Sequence, residues 1–137
     1  MASFVYNKAK YNMMTGAIDL SSDTIKIALM GAAHSASTKS DNTWADVSAN
    51  EVSGTGYTSG GATMSGTTVT QGDVTYWDAS DVSWTTATFT AYYAVIYDTS
   101  VSDNLICSID FGVPGGLTVI AGDFNLVWNV SGILTLA

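Results

Sequence analysis

An all-β fold, an antiparallel β-sandwich of jelly-roll or immunoglobulin-like type with one short N-terminal helix, is what this sequence predicts. Three observations carry the prediction. The stretch Trp84–Asp98, W-T-T-A-T-F-T-A-Y-Y-A-V-I-Y-D, is almost wholly β-branched or aromatic, the composition of a pleated, half-buried surface. Short runs of alternating apolar and polar residues, separated by turn residues, recur from Thr24 to the end of the chain. Helical spacing appears in one place only, within the first sixteen residues.

Ser3 to Met14 is the helix expected. Ser3 suits an N-cap and Gly16 a helix end, and Phe4, Tyr11 and Met14 recur at spacings of three and seven along one face. The turn Asp19–Asp23 opens a strand over Thr24–Met30, with Ile25, Ile27 and Leu29 on one side. Residues 31–61 turn small and polar, with Trp44, Val47, Val52 and Tyr57 as isolated anchors. A segment of that length without periodicity predicts a long functional or binding loop. Within it, a buried Trp44 would pin the loop and an exposed one would mark an interface; the first reading is preferred.

Ala62–Thr70 and Val74–Asp78 read as a hairpin across Gln71-Gly72-Asp73, and Val82–Trp84 restarts the sheet. In the long stretch that follows, Phe89, Ala91, Tyr93, Val95 and Tyr97 share one apolar face. The other face, Thr88, Thr90, Tyr92, Ala94 and Ile96, is polar at its start and apolar from Tyr92 on. Its second half therefore reads as a central strand, covered on both sides by the domain's second layer or by a sister subunit. Its length exceeds the roughly 3–10 residues of ordinary strands, which predicts a bend, a bulge or a change of sheet near Thr90. Leu105–Phe111, Leu117–Ile120, Phe124–Trp128 and Ile133–Leu136 complete the strands, with Ala121-Gly122-Asp123 and Asn129–Gly132 as turns.

The 137 residues make one domain on the usual size prior, 1–137, long enough to bury about two-thirds of the unfolded chain's surface. One cysteine, Cys107, leaves no intramolecular disulfide. No run of about 20 apolar residues is present to span a membrane, and M-A-S-F-V-Y-N-K lacks the apolar core of a secretory signal, so synthesis and assembly in a cytosol are expected. Twelve acidic residues face four lysines and no arginine, for a net charge of −8. That balance repels a polyanion and lacks the residue that best grips phosphate, which argues against nucleic acid. Only 12% of residues are charged, while serine and threonine make up about a quarter. Such a surface suits permanent subunit contacts, and equally a threonine-rich β protein.

Catalytic chemistry has little to draw on. His34, the single histidine, lies in the small-residue run G-A-A-H-S-A-S, read as a flexible loop; Cys107 falls mid-strand, where a buried small hydrophobe is usual. A nucleophilic Cys107–His34 pair is therefore not expected. The run Gly54–Gly61, G-T-G-Y-T-S-G-G, lacks the lysine and the following helix of a phosphate loop and reads as loop glycines. Asp73, Asp78 and Asp81 are the densest carboxylates, but turn aspartates bonding their own backbone account for them better than a calcium site. No enzyme activity and no cofactor is expected.

The order of motifs carries one further signal. T-G-A-I-D-L precedes D-T-I-K-I-A-L-M; then come E-V-S-G-T-G-Y-T-S-G-G, D-A-S-D-V-S-W-T-T-A-T-F-T-A-Y-Y-A-V-I-Y-D, a strand ending I-D-F-G, and F-N-L-V-W-N-V-S-G-I-L-T-L. From Tyr11 to Leu136 this set resembles a family of small virion structural proteins of tailed bacteriophages. The resemblance implies a non-enzymatic viral protein located in the virion and assembled in the host bacterial cytoplasm. It implies most directly a capsid decoration (cement) protein, a homotrimer bound to the major capsid protein, with no nucleic acid or membrane partner. Phe4, Tyr11, Met14, Trp44 and Tyr57 are the interface residues expected. A tail, neck or head-fibre component is the alternative within the class. A carbohydrate- or host-surface-binding module using Trp44, Tyr57, Trp77 and Trp84 is the alternative outside it, although Trp77 and Trp84 flank strands and read as core.

Overall fold

A computed structural model describes residues 2–137 and shows a chain that is about 40% strand and 15% helix. Every strand pair is antiparallel. The strands are β1 (Phe4–Val5), β2 (Ile25–Met30), β3 (Ala62–Thr63), β4 (Thr68–Thr70), β5 (Thr75–Asp78), β6 (Val82–Ala91), β7 (Tyr93–Asp98), β8 (Asn104–Asp110), β9 (Leu117–Leu126) and β10 (Leu134–Leu136). They form a five-stranded sheet ordered β1-β8-β7-β2-β3, a three-stranded sheet β10-β5-β4 and a ribbon of β6 with β9.

The long β-branched stretch is two strands, not one. β6 ends at Ala91 in the ribbon and β7 starts at Tyr93 in the large sheet, so the expected change of sheet falls on Tyr92. The Tyr92 N–H donates to the Met30 carbonyl and its own carbonyl accepts from Phe111, which holds the crossover in place. β6 keeps the alternation of a strand with one covered face: Val82, Trp84, Ala87, Phe89 and Ala91 are buried and the intervening residues are mostly exposed. β7 is the middle strand of its sheet and all six of its residues are buried. Ala94 and Ile96 are fully covered within this one chain, so no sister subunit is needed to bury that face.

Several boundaries differ from expectation. The N-terminal helix, α1, runs from Asn7 to Met14 and starts after an extended Tyr6, not at Ser3. Phe4 and Val5 instead pair with Ser108 and Cys107, and Ser3 Oγ accepts the Asp110 N–H at 2.9 Å. The competing cross-strand bonds win over a serine cap. Phe4 thus leaves the helical face it was expected to share with Tyr11 and Met14, and its ring packs edge-on against Tyr6 at 4.9 Å. The expected first hairpin strand, Ala62–Thr70, is divided: β3 joins the large sheet, and β4 pairs with β5 in the small one. Conversely, Leu117–Leu126 is continuous where a turn was expected at Ala121-Gly122-Asp123.

Residues 31–61 are not an irregular loop throughout. Ala32–Ala36 and Ser48–Asn50 are 3-10 turns and Trp44–Val47 is a short helix, α2, whose Thr43 and Asp46 form a capping box. The glycine-rich end of the segment packs tightly against strand backbone. A Cβ on Gly54 would lie 2.1 Å from the Thr88 carbonyl oxygen, and one on Gly61 2.0 Å from that of Ile27. Only glycine allows so close an approach. With Thr55 accepting the Thr88 N–H, this segment lies along β6 on the side away from β9.

Candidate functional site

α1 presents two different faces because its residues differ in what they can bury. Ala9 and Asn12 turn inward, and Asn12 Nδ2 donates to Asn104 Oδ1 at 2.7 Å in a buried amide pair that fastens the helix to β8. Tyr11 and Met14 turn outward, 62% and 90% exposed. Lys8 lies over the Tyr11 ring, its Nζ 5.2 Å from the ring centroid. The C-terminal strand β10 comes alongside, held by its pairing with β5 through Leu134 and Trp77. Between helix and strand is a groove of about 310 Å³ lined by Val5, Lys10, Met13, Met14, Leu134, Thr135 and Leu136. Leu136, at its edge, is 69% exposed. A shallower groove of about 260 Å³ adjoins it between β1, β8 and β10.

Of the residues expected at an interface, Met14 is exposed at this groove, Tyr11 is exposed on α1 under Lys8, and Phe4 sits half-buried in the adjoining groove. Trp44 and Tyr57 lie elsewhere and their rings are used within the chain. Trp44 stacks on Tyr97 at 4.7 Å with the planes 8° apart, which pins α2. Tyr57 packs beside Trp84 and Phe89; its hydroxyl donates to Glu51 Oε2 at 2.8 Å and accepts the Leu29 N–H at 2.9 Å. Burial, with Glu51 alongside, raises its pKa. Trp77 and Trp84 are both core, and Trp77 Nε1–H donates to the Leu20 carbonyl. Reasoning from sequence missed Val5, Leu134 and Leu136, which become part of the groove only through strand pairing that no local pattern announces.

The other chemistry-bearing residues are placed as follows. His34 is not on a flexible loop: it is fully buried, its Nε2 is 3.0 Å from Ser108 Oγ, and its Nδ1 meets no partner. Burial lowers its pKa to about 4. Cys107 is the residue before Ser108 on β8, so its side chain takes the opposite face of the strand from the histidine. Burial pushes the Cys107 thiol up to about 12. Asp78 Oδ1 accepts the Ala79 N–H, a local bond of the kind expected of a turn aspartate, whereas Asp81 Oδ1 accepts the N–H of the distant Trp128. Among the described residues no three His, Cys, Asp or Glu side chains converge as metal ligands, and no helix is long and apolar enough to cross a membrane.

One carboxyl pair is unusual. Asp98, at the end of β7, is fully buried; its Oδ1 accepts the Ser100 N–H, while its Oδ2 meets no donor. Burial, and then a hydrogen bond with the neighbouring Asp23 carboxyl and that carboxyl's charge, raise Asp98 to about 7. No protein-family model, curated protein or solved structure matches the chain.

Proposed function

We propose that this protein is a non-enzymatic structural component of a tailed-bacteriophage virion, a trimeric decoration protein on the outer face of the capsid shell. The observation that carries the docking part of the reading is the apolar groove between α1 and β10. Met14 and Leu136 are too exposed to contribute to the chain's own core, and exposed apolar side chains grouped around a groove are the usual mark of a protein contact. We assign the groove to a sister subunit. Lys8 and Lys10 lie on α1, and the Lys39 carbonyl accepts the Asn7 N–H at its start, so three of the four lysines gather at this end of a chain of net charge −8. An acidic neighbouring copy complements that rim. The order of motifs supplies the virion placement, and in this reading the large sheet and the smaller sheets are the two layers of a β-sandwich. Three linked copies bind a repeating shell with an avidity that one weak contact lacks.

Size-exclusion chromatography with light scattering tests the assembly. The wild-type chain should run as a trimer at micromolar concentration. The double variant Met14→Lys, Leu136→Lys should run as a folded monomer with unchanged circular dichroism, since neither side chain is buried. A monomeric wild type, or a double variant that stays trimeric, would refute the assignment of the groove. Labelling the protein in purified virions tests placement: signal over the shell is expected, and signal confined to the tail overturns the capsid reading.

A further inference from the structure

We propose that Asp23 and Asp98 form a binding site for a hard divalent cation, calcium in the first instance, where the end of β7 meets the start of β2. Asp98 stands opposite Ile25 in the β2–β7 pairing, which brings the last residue of the Asp19–Asp23 turn beside it. The turn holds Asp23 in place, for the Asp19 N–H donates to Asp23 Oδ2 at 2.9 Å. On the other side the Ser100 N–H fixes Asp98 Oδ1 at 2.9 Å, and Ser100 Oγ accepts the Thr24 N–H at 2.9 Å, tying the two segments together. The atom left over is Asp98 Oδ2, sealed from solvent and reached by no N–H or hydroxyl; what lies against the Asp98 carboxyl is the carboxyl of Asp23.

A buried carboxylate oxygen without a donor is costly, and a second carboxyl beside it makes the cost greater unless positive charge joins them. Lys26, the lysine nearest in sequence, directs its ammonium toward Gly60 instead. A cation between the two carboxyls supplies the missing partner for Asp98 Oδ2. Asp23 is only half-buried and leaves a route for the ion and for the waters that complete its shell. Calcium tolerates irregular oxygen shells of six to eight ligands, whereas magnesium demands a near-ideal octahedron. With two protein carboxylates as ligands the affinity belongs to the weak class, with a Kd on the order of 10⁻⁴–10⁻³ M.

Thermal unfolding at pH 7.5 in millimolar calcium, against sodium chloride of equal ionic strength, is the test. At about ten times Kd, calcium should raise the ratio of folded to unfolded protein about tenfold, read as a rise in Tm of several degrees. Asp98→Asn should fold and lose the rise, and Asp23→Asn should lose it too. Terbium luminescence sensitised by the neighbouring Tyr97 gives a readout independent of stability; it should saturate in the wild type, fall on adding calcium, and be absent from Asp98→Asn. A wild type with neither the calcium-dependent rise nor saturable terbium emission overturns the proposal and leaves the two carboxyls sharing a proton. A calcium effect that persists in Asp98→Asn overturns the proposed location.

Discussion

Placing a methyl group on Gly61 should cost far more than placing one on Gly16, although both glycines have a left-handed backbone, with φ of +84° and +79°. For Gly16→Ala the backbone alone resists. An L-residue in that region costs roughly 1–2 kcal/mol, offset by about 0.4–1 kcal/mol from the stiffer unfolded chain, so a net loss of about 1 kcal/mol is expected. Nothing lies within 4 Å of the added carbon. At Gly61 the same carbon would lie 2.0 Å from the Ile27 carbonyl oxygen and 2.8 Å from Ala28 Cα, both backbone atoms of β2. That strand is held by β7 on one side and β3 on the other, so it cannot yield without weakening ladder bonds worth about 1 kcal/mol each. Two such bonds added to the backbone term give a loss of roughly 3–4 kcal/mol. For a chain of this size that lowers Tm by about 10–20 °C. Urea and thermal melts followed by circular dichroism measure both variants. Equal losses for Gly16→Ala and Gly61→Ala would refute the claim that the glycine-rich run is shaped by contact with strand backbone.

Three further outcomes follow from the same geometry. His34 is held neutral in the fold, with a pKa of about 4 against 6.5 when exposed, so the unfolded chain binds the extra proton first as pH falls. Stability should therefore drop by about 3 kcal/mol between pH 7 and pH 3 on this account. Asp98 has the opposite slope, because its raised value favours the fold at low pH and that contribution is lost as pH rises toward 7; denaturant melts across pH in Asp98→Asn should expose the histidine slope, and a flat profile there would contradict it. Thr86 sits at φ +48°, a costly position for a β-branched residue, so Thr86→Asn should gain about 0.5–1 kcal/mol in a urea melt. Asn12→Ala strips the buried partner from Asn104 Oδ1 and should cost about 1–3 kcal/mol, with faster amide exchange along α1 than in the remaining strands.

The parts of the fold that local chemistry dictates were readable in the residues. Alternation marked the covered face of β6, the loss of alternation after Tyr92 marked β7 as a central strand, and excess length marked the change of sheet between them. Composition misled where tertiary contacts reassigned a residue's role. Ala121-Gly122-Asp123 has turn chemistry, yet Ala121 adopts φ +46° inside β9, its N–H donating to Thr88 Oγ1, while Asp123 Oδ1 accepts the Thr86 N–H across the ribbon. The result is an irregular register in a continuous strand, not an end. His34 looked mobile because its neighbours are small; those same small residues let a 3-10 turn tuck it against Ser108. At the groove, Met14 was legible from helical spacing. Leu134 and Leu136 were not, since their position depends on pairing with Trp77 and Thr75, far earlier in the chain.

The packing of Gly54 and Gly61 also bears on how the protein meets proteases. A serine- and glycine-rich stretch is ordinarily the first place a chain is nicked, because a protease must draw several residues into an extended form in its cleft. Here the backbone from 54 to 61 is lodged against β6 and β2, and Glu51 fastens it further by accepting from Tyr57, Ser59 and Gly60. Cleavage there would first require the stretch to peel off two strands. The segment from Gly112 to Gly115, exposed throughout and with no contact for a Cβ at either of those two glycines, has no such hold. Limited digestion should therefore open the chain between β8 and β9 and leave its most glycine-rich stretch whole.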